Sequence, residues 1–504
     1  LIQQLQRDPV GEITIRNPNQ NSVSNVRLEA RLADFMSDGW QSPPVRSLAA
    51  GAEFSVALRL PVEQSILNLN TRLVNAPLRL TVRYEIDNQE REITFTEGVT
   101  VHPVTALTWE ESGKLATYIT PADTYVNQFS SAFRAVDRQA SEWGVAEEFL
   151  RAARLADAVG SHQIEYIQDP ELGIASILGD PTVVDSVQLP RTTLWYRRGD
   201  CDDTTALLAS VYESVSIPTA IMTSPDHVFL AFDSGQPEQD AWMFESVTTT
   251  VIPYNGTLWI PFETTILDQG FMASWEEGSR LVRRYGASAK RAIPGDGNDG
   301  IEFLPVSGQR ERFPALPVDA LDDQVFELLP PLEEQVDELH RGSVSSIRRV
   351  LYTSSLSSLE AAVSGQRGRR ALRTLNQVGV LHAQFGAYDA ARAAFERAVE
   401  QDSSYVPTYL NLANLELVQG RPRAALRHID EADDRRRPGV LSNLIRAQAL
   451  YALGDIDEAR TRMGLVEQEA PELAALYPHL SGDAGARASD AAAQRLSPWA
   501  IEEE

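Results

Sequence analysis

The sequence predicts a multidomain protein: an all-β sandwich at the N-terminus, a central α+β domain, and an all-α solenoid of helical repeats at the C-terminal side. Three observations carry this reading. Period-two alternation runs through the first hundred residues, helical patterns followed by apolar strands occupy 106–290, and a 34-residue repeat marks 371–480. At 504 residues the chain is too long for one hydrophobic core. With 43% hydrophobic and 23% charged residues, its composition is globular rather than disordered.

Residues 1–105 read as β. Leu78, Leu80, Val82, Tyr84 and Ile86 alternate with Arg79, Thr81, Arg83 and Glu85, as a half-buried strand requires. Asp87-Asn88-Gln89 then turns the chain into a strand carrying Ile93 and Phe95. Upstream, strands over 11–16 and 23–32 flank the turn cluster Asn17-Pro18-Asn19-Gln20-Asn21. Several short strands in some ninety residues suggest an immunoglobulin-like sandwich. It carries no catalytic constellation, and modules of this kind bind, space or present.

The chemistry concentrates in 106–290. The single cysteine, Cys201, lies in Arg197-Arg198-Gly199-Asp200-Cys201-Asp202-Asp203-Thr204-Thr205, and the helical pattern Ala206, Leu207, Val211 begins only after it. That predicts Cys201 on the first turn of a helix, with Asp200 as N-cap. Unpaired N–H groups and the helix dipole favour an anion there, and a thiolate is the reactive form of cysteine. Asp202 and Asp203 oppose it unless they point away. A purely structural cysteine fits so polar a setting poorly.

A lone cysteine catalyst needs a base. Residues 224–233 read as a strand with His227, Phe229 and Ala231 on one face. An Asn255-Gly256 turn predicts a hairpin whose second strand runs from Thr257 through Glu263. That hairpin can bring Glu263 beside His227, where a carboxylate orients an imidazole. Glu245, in Ala241-Trp242-Met243-Phe244-Glu245-Ser246, offers a rival acid on another strand.

Together these motifs resemble the transglutaminase-like, papain-like superfamily. The resemblance lies in Gly199-Asp200-Cys201-Asp202-Asp203 opening a helix, Ser216-Ile217-Pro218-Thr219 closing it, His227-Val228-Phe229 on a strand, and Trp259-Ile260-Pro261-Phe262-Glu263-Thr264-Thr265 after that. It is closest to the bacterial members, with some likeness to periplasmic cysteine proteases of the same fold. It is specific from about 190 to 275 and weaker back to about 108. It implies Cys201 as nucleophile, His227 as base and Glu263 as third member, preferred over Glu245 because its Trp, Pro and Thr neighbours also match. The family more often has Asp at that position. Protein cross-linking does not follow, since the animal cross-linking enzymes carry a different sequence around their cysteine.

The reading is therefore a thiol-dependent acyl transfer on protein or peptide amides, by hydrolysis or transamidation, with no metal or cofactor required. The alternative is a non-catalytic interaction scaffold with a degenerate central domain. A redox thiol lacks a resolving cysteine. Trp195, just before the nucleophile, is expected in the core, and 271–284 as a closing helix.

Residues 291–370 read as a linker with short helices, because Pro294-Gly295-Asp296-Gly297-Asn298-Asp299-Gly300 is followed by Pro314, Pro317, Pro330 and Pro331. The Asp/Asn/Gly cluster lacks the Glu at the twelfth position of a calcium loop and reads as a solvated turn. In 371–480, Gly386, Gly420 and Gly454 are 34 residues apart, as are Ala391, Ala425 and Ala459, and Gly379, Ala413 and Ala447. Phe395, Ile429 and Met463 keep the same step. This is the tetratricopeptide signature, three repeats whose concave groove takes a protein partner. Residues 481–504 are expected to form a mobile acidic tail.

The net charge of −26 excludes a phosphate-neutralising surface and hence nucleic acid. Only Lys114 and Lys290 are lysines, which argues against the chain serving as its own acyl acceptor. No run of 18 apolar residues exists to span a membrane. The chain opens at Leu1 with neither Met nor a leader pattern, which is read as a mature form with its signal removed, in the periplasm or cell envelope.

Overall fold

The computed structural model describes residues 9–69, 71–138, 140–167, 183–225, 227–285, 300–317, 329–481 and 498–501. The chain divides into two compact units. The first gathers Leu1–Ala135, Arg151–Glu238 and Thr248–Arg341; the second gathers Val136–Leu150, Gln239–Val247 and Gly342–Glu504.

The first unit begins with a β-rich module of β1 (Gly11–Arg16), β2 (Val23–Leu32), β3 (Glu53–Leu58), β4 (Leu73–Ile86) and β5 (Gln89–Val101). β1 pairs antiparallel with β3, while β2, β4 and β5, with the short strands Trp40–Gln41 and Val45–Leu48, form a five-stranded sheet. Leu78 and Leu80 of β4 join Val26, Leu28 and Leu58 in one core, and Arg79 and Arg83 face water. Asp87 and Asn88 both take positive φ, the geometry a two-residue hairpin turn needs. Buried Asn17 holds the upstream turn cluster by donating to the carbonyls of Asn21, Leu48 and Ala49.

The rest of the unit is built on five antiparallel strands: β6 (Thr219–Ser224), β7 (His227–Pro237), β8 (Ile252–Tyr254), β9 (Thr257–Phe262) and β10 (Glu302–Pro305). Their order is β8-β9-β7-β6-β10. Its longer helices among the described residues are α1 (Thr124–Phe133), α2 (Glu147–Ser161, in this unit from Arg151 onward), α3 (Pro190–Tyr196), α4 (Cys201–Ser214), α5 (Phe271–Tyr285) and α6 (Glu333–Arg348, in this unit as far as Arg341). α4 is buried along nearly its whole length: with Leu207, Leu208, Val211 and Tyr212 it also buries Asp202, Asp203, Thr204, Thr205 and Ser210. Its Tyr212 ring meets Phe232 of β7 edge-on at 5.1 Å, and its hydroxyl donates to the Ala152 carbonyl at 3.0 Å.

The stretch assigned to a linker is built differently. Glu302–Pro305 pairs with β6 from Ala220 to Thr223, and Phe303, Val306, Phe313 and Leu316 are buried. α6 is held to α2: Arg154 meets Glu333 and Asp337 at 2.5 and 2.7 Å, and His340 Nδ1 lies 2.7 Å from Asp157 Oδ2. Prolines and glycines punctuate the sequence there, yet the four buried apolar side chains anchor the segment. The cluster 294–299 lies outside the described residues.

The second unit contains three antiparallel helix pairs: α7 (Arg369–Gln384) with α8 (Tyr388–Gln401), α9 (Val406–Val418) with α10 (Pro422–Arg435), and α11 (Val440–Ala452) with α12 (Ile456–Glu469). Gly386, Gly420 and Gly454 turn each pair with φ of 75, 69 and 84°. The other periodic positions are buried, and at Gly379 a Cβ would lie 2.3 Å from the Phe395 ring. Two segments that the sequence places inside 106–290 also belong to this unit. In Val136–Leu150, the Gly144 N–H donates to the Gln384 carbonyl and Trp143 packs on Phe385 at 5.4 Å. In Gln239–Val247, Phe244 meets Phe149 edge-on at 5.3 Å. Most of the tail expected to be mobile lies outside the described residues, but Pro498 to Ile501 is bound to α7 and α9.

Candidate active site

The sequence Gly199-Asp200-Cys201 explains how α4 starts. A Cβ on Gly199 would come within 2.7 Å of Asp203 Cβ, so only glycine lets the chain enter the helix this closely. Asp200 is the N-cap: its carboxylate accepts the Asp203 N–H, and Asp203 accepts the Asp200 N–H in return, closing a capping box. Cys201 therefore stands on the first helical turn, as expected.

Strand register brings the other two residues together. β7 pairs with β9 through Leu230↔Phe262 and Ala231↔Pro261. One step further sets Glu263 opposite Phe229, on the face that Phe229 shares with His227, whose ring lies parallel to Phe229 at 6.2 Å. Asn255 and Gly256 take the positive φ of the two-residue turn that delivers β9. His227 Nε2 lies 2.6 Å from Glu263 Oε2, while Thr265 donates its N–H and hydroxyl to Glu263 Oε1 at 2.9 and 2.6 Å. Glu245 ends the one-turn helix Ala241–Phe244, not a strand, and is exposed. Glu263 is the acid that bonds His227.

The thiol is bonded to β7, and the helix that carries it is bonded to the segment just after β9. The Val228 N–H donates to Cys201, and the Thr264 hydroxyl bridges Thr204 and Thr205 of α4 at 3.1 and 3.0 Å. Cys201 is only 3% exposed, although the polar sequence around it suggests an accessible side chain. Burial first, then the charges of Asp202 and Asp200, push its pKa well up, against the Val228 hydrogen bond. The helix start does not overcome this, because the acids beside it carry the same sign as a thiolate. Burial also pushes Glu263 up, but the His227 hydrogen bond and charge, with the Thr265 donors, outweigh it and hold the carboxyl below its ordinary value. Alkylation of the native chain by iodoacetamide should thus be slow at pH 7 and still rising above pH 9. A rate that levels off below pH 8 would show a thiolate ion-paired at neutrality instead.

Asp200, Asp202 and Asp203 place carboxylate oxygens within 4.8 Å of one another, close enough in principle to hold a cation. Asp203 accepts from the Gln188 backbone and side chain, and Asp202 Oδ1 accepts the Asp203 N–H, while Asp202 Oδ2 is buried without a hydrogen-bond partner among the described residues. Burial and the neighbouring Asp200 push Asp203 up to about 7, and burial with the Asp200 contact pushes Asp202 well above the ordinary carboxyl value, which disfavours the charge a cation would need. The cluster is a helix cap.

Sequence reasoning missed one neighbour of the thiol. Tyr166, on a two-residue strand paired in parallel with Arg198–Gly199, has its pKa pushed up to about 12 by burial and by the charges of Cys201, Asp200 and Glu263. No local pattern marks a strand so short. Trp195, expected in the core, is 41% exposed, because α3 turns Pro190, Thr193 and Leu194 inward instead.

In the second unit the helix pairs present α7, α9 and α11 side by side, with Asn376, Asn411 and Asn414 in contact with Pro498–Ile501. A family model described as Tetratricopeptide repeat matches residues 406–431 and 444–464. The C-terminal region carries tetratricopeptide repeats. The match falls on the second and third helix pairs, and the tetratricopeptide region supplies a surface for a protein partner. No curated protein matches the chain. Among the described residues, no helix is long and apolar enough to cross a membrane.

Proposed function

We propose that the central domain is a thiol-dependent acyl-transfer enzyme of the transglutaminase-like, papain-like kind, acting on protein or peptide amides through Cys201, His227 and Glu263. The observation that carries this reading is the 2.6 Å His227–Glu263 pair beside a cysteine at a helix start. With Nε2 turned to Glu263, Nδ1 is the nitrogen that takes the thiol proton. The sulfur attacks the amide carbonyl carbon, the C–N bond breaks, and His227 gives the proton to the leaving amine. Water then cleaves the thioester to a carboxylic acid and the free thiol; an amine in its place forms a new amide. The Cys201 N–H serves as an oxyanion donor. A thiol pKa above its ordinary value favours proton removal during attack over a resting thiolate. Hydrolysis is the preferred outcome, because a transferase must exclude water.

In this reading the N-terminal module is an immunoglobulin-like sandwich that spaces or presents, and the repeats bring the substrate protein to a periplasmic or cell-envelope enzyme. The test is incubation with a bacterial envelope proteome, with and without a labelled amine, comparing the unaltered chain with Cys201→Ala. Cleaved proteins without label, lost in Cys201→Ala, are the expected result. Melting is followed alongside, since the sulfur is buried. Identical patterns from both chains would leave the second reading, an interaction scaffold with a degenerate central domain, which the burial of Cys201 favours.

A further inference from the structure

The tetratricopeptide region holds a piece of its own chain by the backbone. Asn376 and Asn411 both donate Nδ2–H to the Ala500 carbonyl, at 2.6 and 2.8 Å, and the Ala500 N–H donates to Asn411 Oδ1 at 2.8 Å. Asn414 Nδ2 donates to the Pro498 carbonyl at 3.1 Å, and the Tyr405 hydroxyl donates to the Ile501 carbonyl at 3.3 Å. Asn411 Nδ2 also reaches Asn376 Oδ1 at 3.0 Å, which fixes how both amides are turned. The Trp499 side chain adds selectivity: it is 9% exposed and stacks on Phe395 at 6.4 Å, in a cluster with Val380, Leu412 and Leu415.

These asparagines are not demanded by the repeat. The positions that pack one helix on the next recur every 34 residues, but one period from Asn376 stands Leu410. From Asn411 the same step reaches Gln377 and Ile445, and from Asn414 it reaches Val380 and Gln448. Buried amides are costly without hydrogen-bond partners, and here the partner is a peptide backbone. Past Ala500 the groove continues as a cavity of about 430 Å³, lined by apolar Val406, Leu410, Val440 and Leu441 and by charges of both signs, Arg436 and Arg437 with Asp433 and Glu469.

We propose that Pro498–Ile501 is an exchangeable internal ligand, occupying the site where a partner protein docks an extended segment that presents an aromatic residue in the place of Trp499. Tethering gives the internal segment a high effective concentration, on the order of millimolar, so weak partners are kept out. A partner displaces it by adding what these four residues lack, an apolar side chain that fills the cavity beyond Ala500. This holds whether or not Cys201 is a nucleophile.

The test measures anisotropy of a labelled Leu-Ser-Pro-Trp-Ala-Ile-Glu peptide added to the full chain. Trp499→Ala in the chain should raise its affinity at least tenfold over the unaltered chain. Adding Asn411→Ala should reverse that gain, and a peptide with Ala in place of Trp should not bind. Ala500→Pro, which removes the N–H given to Asn411, is a second way of freeing the groove and should act in the same direction. Equal binding by altered and unaltered chains would overturn the proposal, as would indifference to Asn411→Ala. So would loss of helical circular dichroism in both freed variants, because the segment would then be a structural part of the array.

Discussion

Glu263→Gln should lower turnover of an amide substrate by about 10⁴-fold, the size of effect seen when a triad imidazole is held in the wrong tautomer. The surroundings of Glu263 show why a near-isosteric change costs so much. Thr265 directs two donors, its N–H and its hydroxyl, at Oε1. In the variant the amide oxygen must take that place, which turns the NH2 toward His227 Nε2. The imidazole must then accept at Nε2 and carry its proton on Nδ1, so Nδ1 cannot take a proton from the thiol. Glu245→Gln, on an exposed carboxylate, should change turnover by less than about twofold. Steady-state kinetics on both variants decide the matter: a loss under tenfold in Glu263→Gln would remove the pair from the chemistry. The pair should also be robust to acid. Since the Glu263 pKa is lowered, what its ionised form contributes is present above the ordinary carboxyl value and is lost only as pH falls through the lowered one.

Asp157→Ala should destabilise the first unit by about 3–5 kcal/mol, the range for breaking a buried pair from one side. Asp157 is fully buried, accepts the Phe271 N–H at 3.1 Å and holds His340 Nδ1 at 2.7 Å. Its removal leaves His340 buried without the carboxylate and costs α5 the acceptor at its first residue. A melting temperature lower by roughly 10 °C is expected, at about 2–4 °C per kcal/mol for a domain of this size. A chain stopped after Ala320 should fare no better. It lacks α6 altogether, including Val336 and His340, and exposes Arg154. Composition alone makes that truncation look harmless, since the cut falls in a proline-rich stretch. A melting curve within 1 kcal/mol of the unaltered protein would show that α6 is peripheral.

The features readable from sequence were those set by neighbours in the chain. The Asp200 cap, the Cys201 first turn, the Asn255–Gly256 hairpin and the 34-residue spacing each depend on a few consecutive or periodic residues. For the His227–Glu263 pair only the period of two was legible, since it sets His227 and Phe229 on one face; the Asn255–Gly256 hairpin joins β9 to β8, and the β7–β9 register that completes the pair crosses no short turn. The features missed were pairings at long separation. Nothing around Glu302 says that it will lie beside Thr223, and nothing around His340 points to Asp157. The burial of Cys201 was missed for a related reason: local polarity suggests exposure, whereas the strands that cover it arrive later in the chain. Tyr166 carries its influence only through where it ends up.

The strand order has a consequence for how the protein is made. β6 lies between β7, which follows it at once, and β10, whose pairing with it involves Glu302 to Pro305. During synthesis at roughly 5–20 residues per second, an interval of about 80 residues leaves the outer edge of β6 uncovered for roughly 4 to 16 s. All six residues of β6 are buried in the finished sheet, so the nascent strand offers an edge of unpaired backbone groups, with Ala220, Ile221 and Met222 uncovered, for that time. Two nascent chains on one messenger can meet through those edges before either supplies its own β10. Slower translation should raise the yield lost to aggregation, and overlapping the wait with a chaperone that masks strand edges should recover it.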